Sequence, residues 1–142
     1  MVSYMNDKNL EKIQNVARSV PFIQLLDIEV TELNMDENTL TMTMPITNQI
    51  SRMLSMPQIH GGAVAALIDS AATFLVIAKT EAAVPTINFR TDYLKPSFNS
   101  DLTAKATLRR LGRTVAVVDV DVSDDNSVLV AIGRGTFGTV AS

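Results

Sequence analysis

The chain has 142 residues, which is enough for one domain with its own hydrophobic core. Hydrophobic residues make up 46% and charged residues 19%, a globular composition, and the net charge of −3 argues against nucleic acid as a partner. Cysteine is absent and His60 is the single histidine, so disulfides are excluded and a zinc site, which usually needs three or four nitrogen or sulfur ligands, is disfavoured. No signal peptide is recognisable, and we expect one cytoplasmic domain over residues 1–142.

The N-terminal third alternates between helical and strand spacing. Residues 7–20 have apolar side chains at helical spacing and predict a helix, with Asn6 or Asp7 as its N-cap. Residues 26–30 and then 39–45 alternate between apolar and polar side chains, which predicts two strands. Residues 47–59 follow no regular pattern, and an irregular connection of this length is usually functional.

Residues 59–80, IHGGAVAALIDSAATFLVIAKT, predict one long helix that is apolar on nearly every side. Within residues 62–78 only Asp69, Ser70 and Thr73 carry polar side chains. A helix without a polar face is a buried helix, and carboxylates are rarely buried without a partner. Because these polar residues interrupt it, the apolar run is short of a membrane span, and we expect no membrane association. The aspartate therefore points to function more than to packing.

Four strands are predicted after this helix, and the joints between them are short. The joints are KPSFNSD, then Leu111-Gly112-Arg113, then DDNS, all typical of turns, so we expect antiparallel neighbours. The predicted strands cover residues 85–95, 101–111, 113–123 and 127–138. This order of elements predicts an α+β domain in which an antiparallel sheet wraps the long helix. The remaining side of the helix would then pack against a second copy of the chain.

The helix carries a set of groups suited to acyl chemistry. His60-Gly61-Gly62 stands at its start, where glycines leave backbone N–H groups open to a ligand, and these groups suit a developing oxyanion. Asp69 could act as general base or nucleophile, and Thr73 lies on the same face. Packing alone is the alternative explanation for the glycines, and backbone hydrogen bonding for the histidine and the threonine.

The segment HGGAVAALID resembles the signature of hotdog-fold acyl-CoA thioesterases, the branch that includes the phenylacetate-degradation and 4-hydroxybenzoyl-CoA enzymes. In that branch an acid follows the motif histidine by nine positions, as Asp69 follows His60. The similarity also takes in PTINFRTDYLKP and the strand pair RRLGRT…VSDDNSVLVAIGRGTF. The resemblance implies a hotdog fold and hydrolysis of an acyl-CoA to a carboxylic acid and free CoA, with no cofactor and no metal.

The resemblance also assigns catalytic roles. It implies that the Gly61 N–H, next to His60, polarises the thioester carbonyl, and that Asp69 activates water or attacks directly. Thr73 matches a threonine that positions the water, and Thr86 matches a Ser or Thr found near the nucleophile.

One position departs from the family pattern. Many relatives place Asn or Gln six residues before the motif histidine, where this chain has Leu54. Asn48, Gln49 and Gln58 are the amides that the neighbouring loop offers instead.

Basic residues around a predicted hairpin are candidates for binding the CoA phosphates. Relatives bind the nucleotide near the matching strand ends, although a basic hairpin also keeps a sheet edge soluble. The candidates for CoA or substrate binding are Gly62, Asn88, Tyr93, Leu94, Lys95, Arg109, Arg110, Gly112, Arg113 and Arg134.

Helix geometry predicts that one active site needs two chains. Gly61 and Asp69 are eight residues apart, about 12 Å along a helix, too far for both to act on one carbonyl. Two antiparallel helices across a two-fold axis would bring each Gly61 beside the partner's aspartate, so we expect a homodimer or a dimer of dimers. Two other functions remain open: a hydratase or dehydratase using His60 with Asp69, and a non-catalytic acyl-CoA-binding protein.

Overall fold

The computed structural model describes residues 2–140, with side chains from residue 5 onward. Their helices are α1 (Val2–Arg18), α2 (Pro21–Leu25) and α3 (Gly61–Thr80), with a short 3-10 helix at Asn48–Ile50. Their strands are β1 (Glu29–Asn34), β2 (Thr39–Met44), β3 (Ser51–Met53), β4 (Met56–Ile59), β5 (Thr86–Tyr93), β6 (Leu102–Leu111), β7 (Val115–Ser123) and β8 (Leu129–Gly138).

Six strands form one antiparallel sheet in the order β1-β2-β6-β7-β8-β5, and this sheet curves around α3. The helix packs mainly against β2, β5, β6, β7 and β8. The inner face of β7 illustrates the core, since every second residue from Ala116 to Val122 is at most 1% exposed. The predicted α+β architecture is confirmed, and the four predicted strands after the helix match β5 to β8 to within two residues at each end.

The first helix is longer than its pattern predicts. The N-cap predicted at Asn6 or Asp7 is wrong, because both residues lie inside α1. The helix ends at Arg18 because Val20 is extended, as expected for a residue before a proline, and Pro21 then opens α2.

The first strand begins three residues later than predicted. Asp27 has a left-handed backbone with φ of 56°, which interrupts the extended chain. Its neighbours Leu26 and Ile28 are nevertheless buried, so the alternation identified the burial of these residues correctly but not their secondary structure.

The segment predicted to be irregular contains a small hairpin. Strands β3 and β4 pair antiparallel, with Ser51 opposite Ile59. Leu54 lies in the turn between them and is 72% exposed. The strands are only three and four residues long, which is too short for a period-two pattern to be recognised.

The prediction that β5 and β6 are neighbours is wrong. β5 pairs with β8 at one edge of the sheet, whereas β6 lies between β2 and β7. The connecting segment 94–101 crosses the end of the sheet and is held there by backbone bonds from Leu94 N–H to Val130 O (2.8 Å) and from Asn99 N–H to Pro57 O (2.9 Å). The length and the turn residues of this segment suit a hairpin equally well, so a prediction from composition alone placed β5 beside β6.

The long helix has one face that the sheet leaves partly open. The half-buried residues of this face recur every three or four positions along the helix. They are Ala65, Ala66, Asp69, Ser70, Thr73 and Ile77. By length and composition α3 is also apolar enough to cross a membrane, but 56% of that stretch is buried inside this fold, as in a core helix. The open face therefore carries the polar side chains that the sequence singled out.

Candidate active site

The first turn of α3 presents one unpaired backbone donor. His60 is the N-cap, and its Nδ1 accepts the Gly62 N–H at 2.9 Å. Its carbonyl accepts the N–H groups of Ala63 (2.9 Å) and Val64 (3.2 Å). Within residues 2–140 the Gly61 N–H has no acceptor, and it stands at the positive end of the helix dipole.

A cavity of about 520 Å³ opens at this helix start. Gly61 and Gly62 line it together with residues 93–97, which follow from the end of β5. Arg52 and Gln58 of the β3–β4 hairpin also line it, and Arg52 Nη1 donates to Gln58 Oε1 at 3.2 Å. A free amide N–H, cationic side chains and apolar walls suit a ligand with a carbonyl group and an anionic tail.

Tyr93 lies directly against the first helical residue. Its hydroxyl donates to the Gly61 carbonyl at 2.5 Å. A Cβ added at Gly61 would lie 3.2 Å from the ring carbon Cζ, so the ring occupies the space that a side chain would need. Gly61 has no positive φ, so close approach rather than conformation favours glycine here, and an added Cβ would require the Tyr93 ring to shift by a few tenths of an ångström.

Asp69 lies two turns further along α3, half-buried rather than fully buried. The Thr86 hydroxyl, at the start of β5, donates to Asp69 Oδ1 at 2.8 Å, which leaves the other carboxylate oxygen for a second partner. Thr73 is half-buried on the same face of the helix. Asp69 is not among the residues lining the cavity at Gly61, so one chain presents the amide and the acid at separate places.

His60 and Asp69 do not form a pair within one chain. They are nine residues apart, about 13 Å along the helix, and the His60 Nδ1 is occupied by its cap bond. Within the described residues no three His, Asp or Glu side chains are grouped so that they could hold a metal ion.

The predicted CoA-binding cations do not form one cluster. Lys95 and Leu94 line the cavity at the helix start. Arg110, Gly112 and Arg113 belong to the β6–β7 hairpin and its approach, outside that cavity.

Arg109, Arg134 and Asn88 instead line a second hollow of about 700 Å³. It lies on the face of the sheet away from α3, since the neighbouring residues of β7 point inward.

Two of these arginines already have a protein partner. Arg134 Nε donates to Asp119 Oδ1 at 2.5 Å, and Arg109 Nε donates to Asp119 Oδ2 at 2.7 Å. The hydrogen bond from Arg134, together with that from Arg109, lowers the pKa of Asp119 to about 2. The sequence analysis placed all the basic residues in one group. It did not take into account that alternate residues of a strand face opposite sides of the sheet, which puts Arg109 and Arg134 on the outer face.

Arg52 and Ser97 are among the cavity residues that the sequence reasoning missed. Arg52 was read as part of an irregular loop, and only the hairpin brings it to the cavity. Ser97 lines the same cavity with a buried hydroxyl that has no partner among the described residues. Of the amides offered in place of the family's Asn or Gln, Gln58 lines the cavity, whereas Asn48 and Gln49 do not.

Comparison with known proteins identifies the family. A family model described as the thioesterase superfamily matches residues 56–131, more than half of the chain. A candidate esterase of Halobacterium salinarum is 39% identical over 56% of this chain, and the match covers 58% of that protein. The acyl-coenzyme A thioesterase PaaI of Escherichia coli K12 is 34% identical over 72% of each chain.

The structure agrees with these matches. The solved structure of E. coli PaaI superposes with a TM-score of 0.84 at 22% identity, over 96% of both chains. The predicted hotdog fold is confirmed by these structural matches. The predicted enzyme class, thioester hydrolase, is confirmed by the family model and by the sequence match to PaaI. The chain belongs to the thioesterase superfamily.

Proposed function

We propose that the chain hydrolyses acyl-CoA thioesters to a carboxylic acid and free CoA. The observation that carries this proposal is the Gly61 N–H, which has no acceptor among residues 2–140 and opens on a cavity large enough for part of a CoA ester. The relative PaaI is named as an acyl-CoA thioesterase, which supports CoA as the leaving group.

In this mechanism the Gly61 N–H donates to the thioester carbonyl oxygen. Negative charge develops on that oxygen when water attacks the carbonyl carbon, and a fixed donor at a helix N-terminus stabilises it. Asp69 takes the proton from the attacking water, or attacks the carbon itself to give an anhydride that water then hydrolyses. The C–S bond breaks, and the departing CoA thiolate takes up the proton that came from the water, either passed on by Asp69 or released when the anhydride is hydrolysed, so Asp69 ends as a carboxylate. The reaction needs only substrate and water, so we propose no resident cofactor.

Thr86 and Thr73 support the acid in this scheme. The Thr86 hydroxyl fixes Asp69 Oδ1, so the free oxygen keeps one direction. Thr73 lies four residues further on the same face, which supports the proposal that it holds the attacking water.

The active site is proposed to form between two copies of the chain. Strand β5 is an edge strand with one unpaired backbone edge in the described sheet, and it exposes Ile87 and Phe89. An unpaired strand edge eight residues long invites pairing with another strand. Beside it lies the half-open face of α3 with Asp69, so a second copy docked here would cover both. Each Gly61 would then meet the partner's carboxylate, and each dimer would hold two equivalent sites.

Lys95 is proposed as the main contact to the CoA phosphates, since it lies at the cavity and forms no ion pair among residues 5–140, whereas Arg109 and Arg134 are both paired with Asp119. Cytoplasmic location and the absence of membrane or nucleic-acid partners remain predictions.

The proposal is tested with Asp69→Asn, which keeps the shape and the bond from Thr86 but removes the charge. Acyl-CoA hydrolysis, followed as free thiol release, should fall by on the order of 10²–10⁴ because the general base is lost. Asp36→Asn, in the turn after β1, removes one carboxylate elsewhere and should keep full activity. Hydration of enoyl-CoA substrates without release of thiol would support the hydratase alternative instead. Binding of acyl-CoA without turnover of any ester would indicate a non-catalytic protein.

A near-normal rate in folded Asp69→Asn would refute the assigned role.

A further inference from the structure

Holding the start of α3 in a single conformation has a high cost in conformational entropy. Two consecutive glycines lose more backbone freedom on folding than any other pair of residues, and the first helical turn has the fewest hydrogen bonds of its own. An oxyanion donor, however, has to stay fixed in direction while charge develops on the substrate. Something outside the helix must therefore hold Gly61.

Two aromatic side chains take the place of the missing glycine side chains. The His60 ring caps the Gly62 N–H, and a Cβ on Gly62 would lie 3.1 Å from His60 Nδ1. The Tyr93 hydroxyl donates to the Gly61 carbonyl at 2.5 Å, at the short end of the range for O–H···O bonds, and its ring covers the Gly61 Cα.

We infer that Tyr93 is a positioning residue, whose hydroxyl holds the backbone of Gly61 so that its N–H keeps the direction needed for the thioester oxygen. This inference rests on the proposed function for its catalytic consequence, but not for the contact itself. It differs from the substrate-binding role that the sequence predicts for Tyr93, because the hydroxyl already has a backbone acceptor.

The placement of Tyr93 gives β5 a second task. The strand runs antiparallel to α3, with Thr86 at its first residue bonded to Asp69 and Tyr93 at its last residue bonded to Gly61. One strand therefore fixes both the acid and the amide donor of its own chain.

The test is Tyr93→Phe, which removes the hydroxyl and keeps the ring. Removing an oxyanion donor costs about 10²–10³ in kcat, and a donor that is kept but loosened should cost roughly tenfold. We expect kcat to fall by that factor on every ester cleaved, with KM unchanged within about twofold. Thr80→Val is the matched control, because it removes a hydroxyl that donates to the Val76 carbonyl at the other end of α3 (2.9 Å), and it should keep wild-type kcat.

A second measurement does not depend on activity. The ¹⁵N order parameters of the Gly61 and Gly62 amides should fall from about 0.85, typical of rigid backbone, towards about 0.6 in Tyr93→Phe and stay high in Thr80→Val. Unchanged order parameters, an unchanged kcat, or a loss confined to KM would each overturn the positioning role. If the wild-type chain cleaves no thioester while the order parameters respond as expected, the proposed function fails and the contact role of Tyr93 stands.

Discussion

The proposed sharing of the active site between two chains makes a quantitative prediction about mixtures of two inactive variants. Gly61→Pro removes the donor N–H, and Asp69→Asn removes the carboxylate. The backbone conformation at this position suits proline, because Gly61 is the first helical residue and His60 has φ of −60° and ψ of 139°, the conformation that precedes proline. Gly61→Ala is the matched control, since it adds the same Cβ next to Tyr93 but keeps the N–H.

The expected activities follow from counting sites. Gly61→Pro alone should lose about 10²–10³ in kcat relative to Gly61→Ala, and Asp69→Asn about 10²–10⁴ relative to wild type. After one-to-one mixing and full exchange, half of the dimers are hybrids. Each hybrid has one site in which both groups are intact and one in which both are missing. Half of the dimers with half of their sites active give about a quarter of the wild-type rate.

The assay is thiol release at fixed total protein, before and after exchange. Mass spectrometry of differently tagged chains confirms that hybrids have formed, and circular dichroism confirms that both variants are folded. A site contained in one chain predicts no recovery, because every chain in the mixture lacks one of the two groups. Exchanged, folded mixtures that stay at the residual rates of the single variants would therefore refute the shared site.

Two further predictions concern charge. Lys95→Glu should raise KM for an acyl-CoA more than for a pantetheine thioester, and the difference should shrink at high salt. Lys105→Glu, on the outer face of the sheet, should leave both KM values unchanged. Equal effects of Lys95→Glu on the two substrates would contradict phosphate binding. Asp119 has its pKa lowered to about 2 from 3.8, so it stabilises the folded state above pH 4 and this contribution is lost as pH falls from about 4 to 2. Asp119→Asn should therefore lower the free energy of unfolding, measured by urea denaturation, by about 1–2 kcal/mol at pH 7 and by much less near pH 2. The value at pH 7 is discounted for solvent screening, because the two arginines are more than half exposed. An equal loss at both pH values would show that charge is not the cause.

The elements that sequence predicted well are those whose pattern is local. The β6–β7 and β7–β8 connections are short hairpins, and at Gly112 an added Cβ would lie 2.8 Å from the Val115 carbonyl, so the glycine itself specifies the turn. The place of β5 in the sheet was mispredicted because β5 pairs with β8, and two other strands lie between them in the sequence. No pattern within residues 94–101 distinguishes a hairpin from a crossing over the end of the sheet.

The candidate site shows the same division. Gly61 and Asp69 could be chosen from the sequence because helix geometry relates them within one element. The contacts of Tyr93 with Gly61 and of Thr86 with Asp69 join residues of different elements, and only the fold specifies their geometry. The basic residues were grouped by nearness in sequence, although alternate strand residues face opposite sides, and Arg109 and Arg134 are paired with Asp119 on the outer face.

The position of the aspartate in so apolar a helix follows from how the sheet is closed. The sheet ends at β5, and the face of α3 next to this edge is the one that stays half-open. A carboxylate is tolerated there because it is neither fully desolvated nor unpaired, since Thr86 of β5 donates to it. The same edge leaves unpaired backbone groups and apolar side chains that favour a second copy. Docking of that copy would desolvate the carboxylate only where the partner's Gly61 and a substrate meet it, so dimerisation and catalysis would depend on one surface.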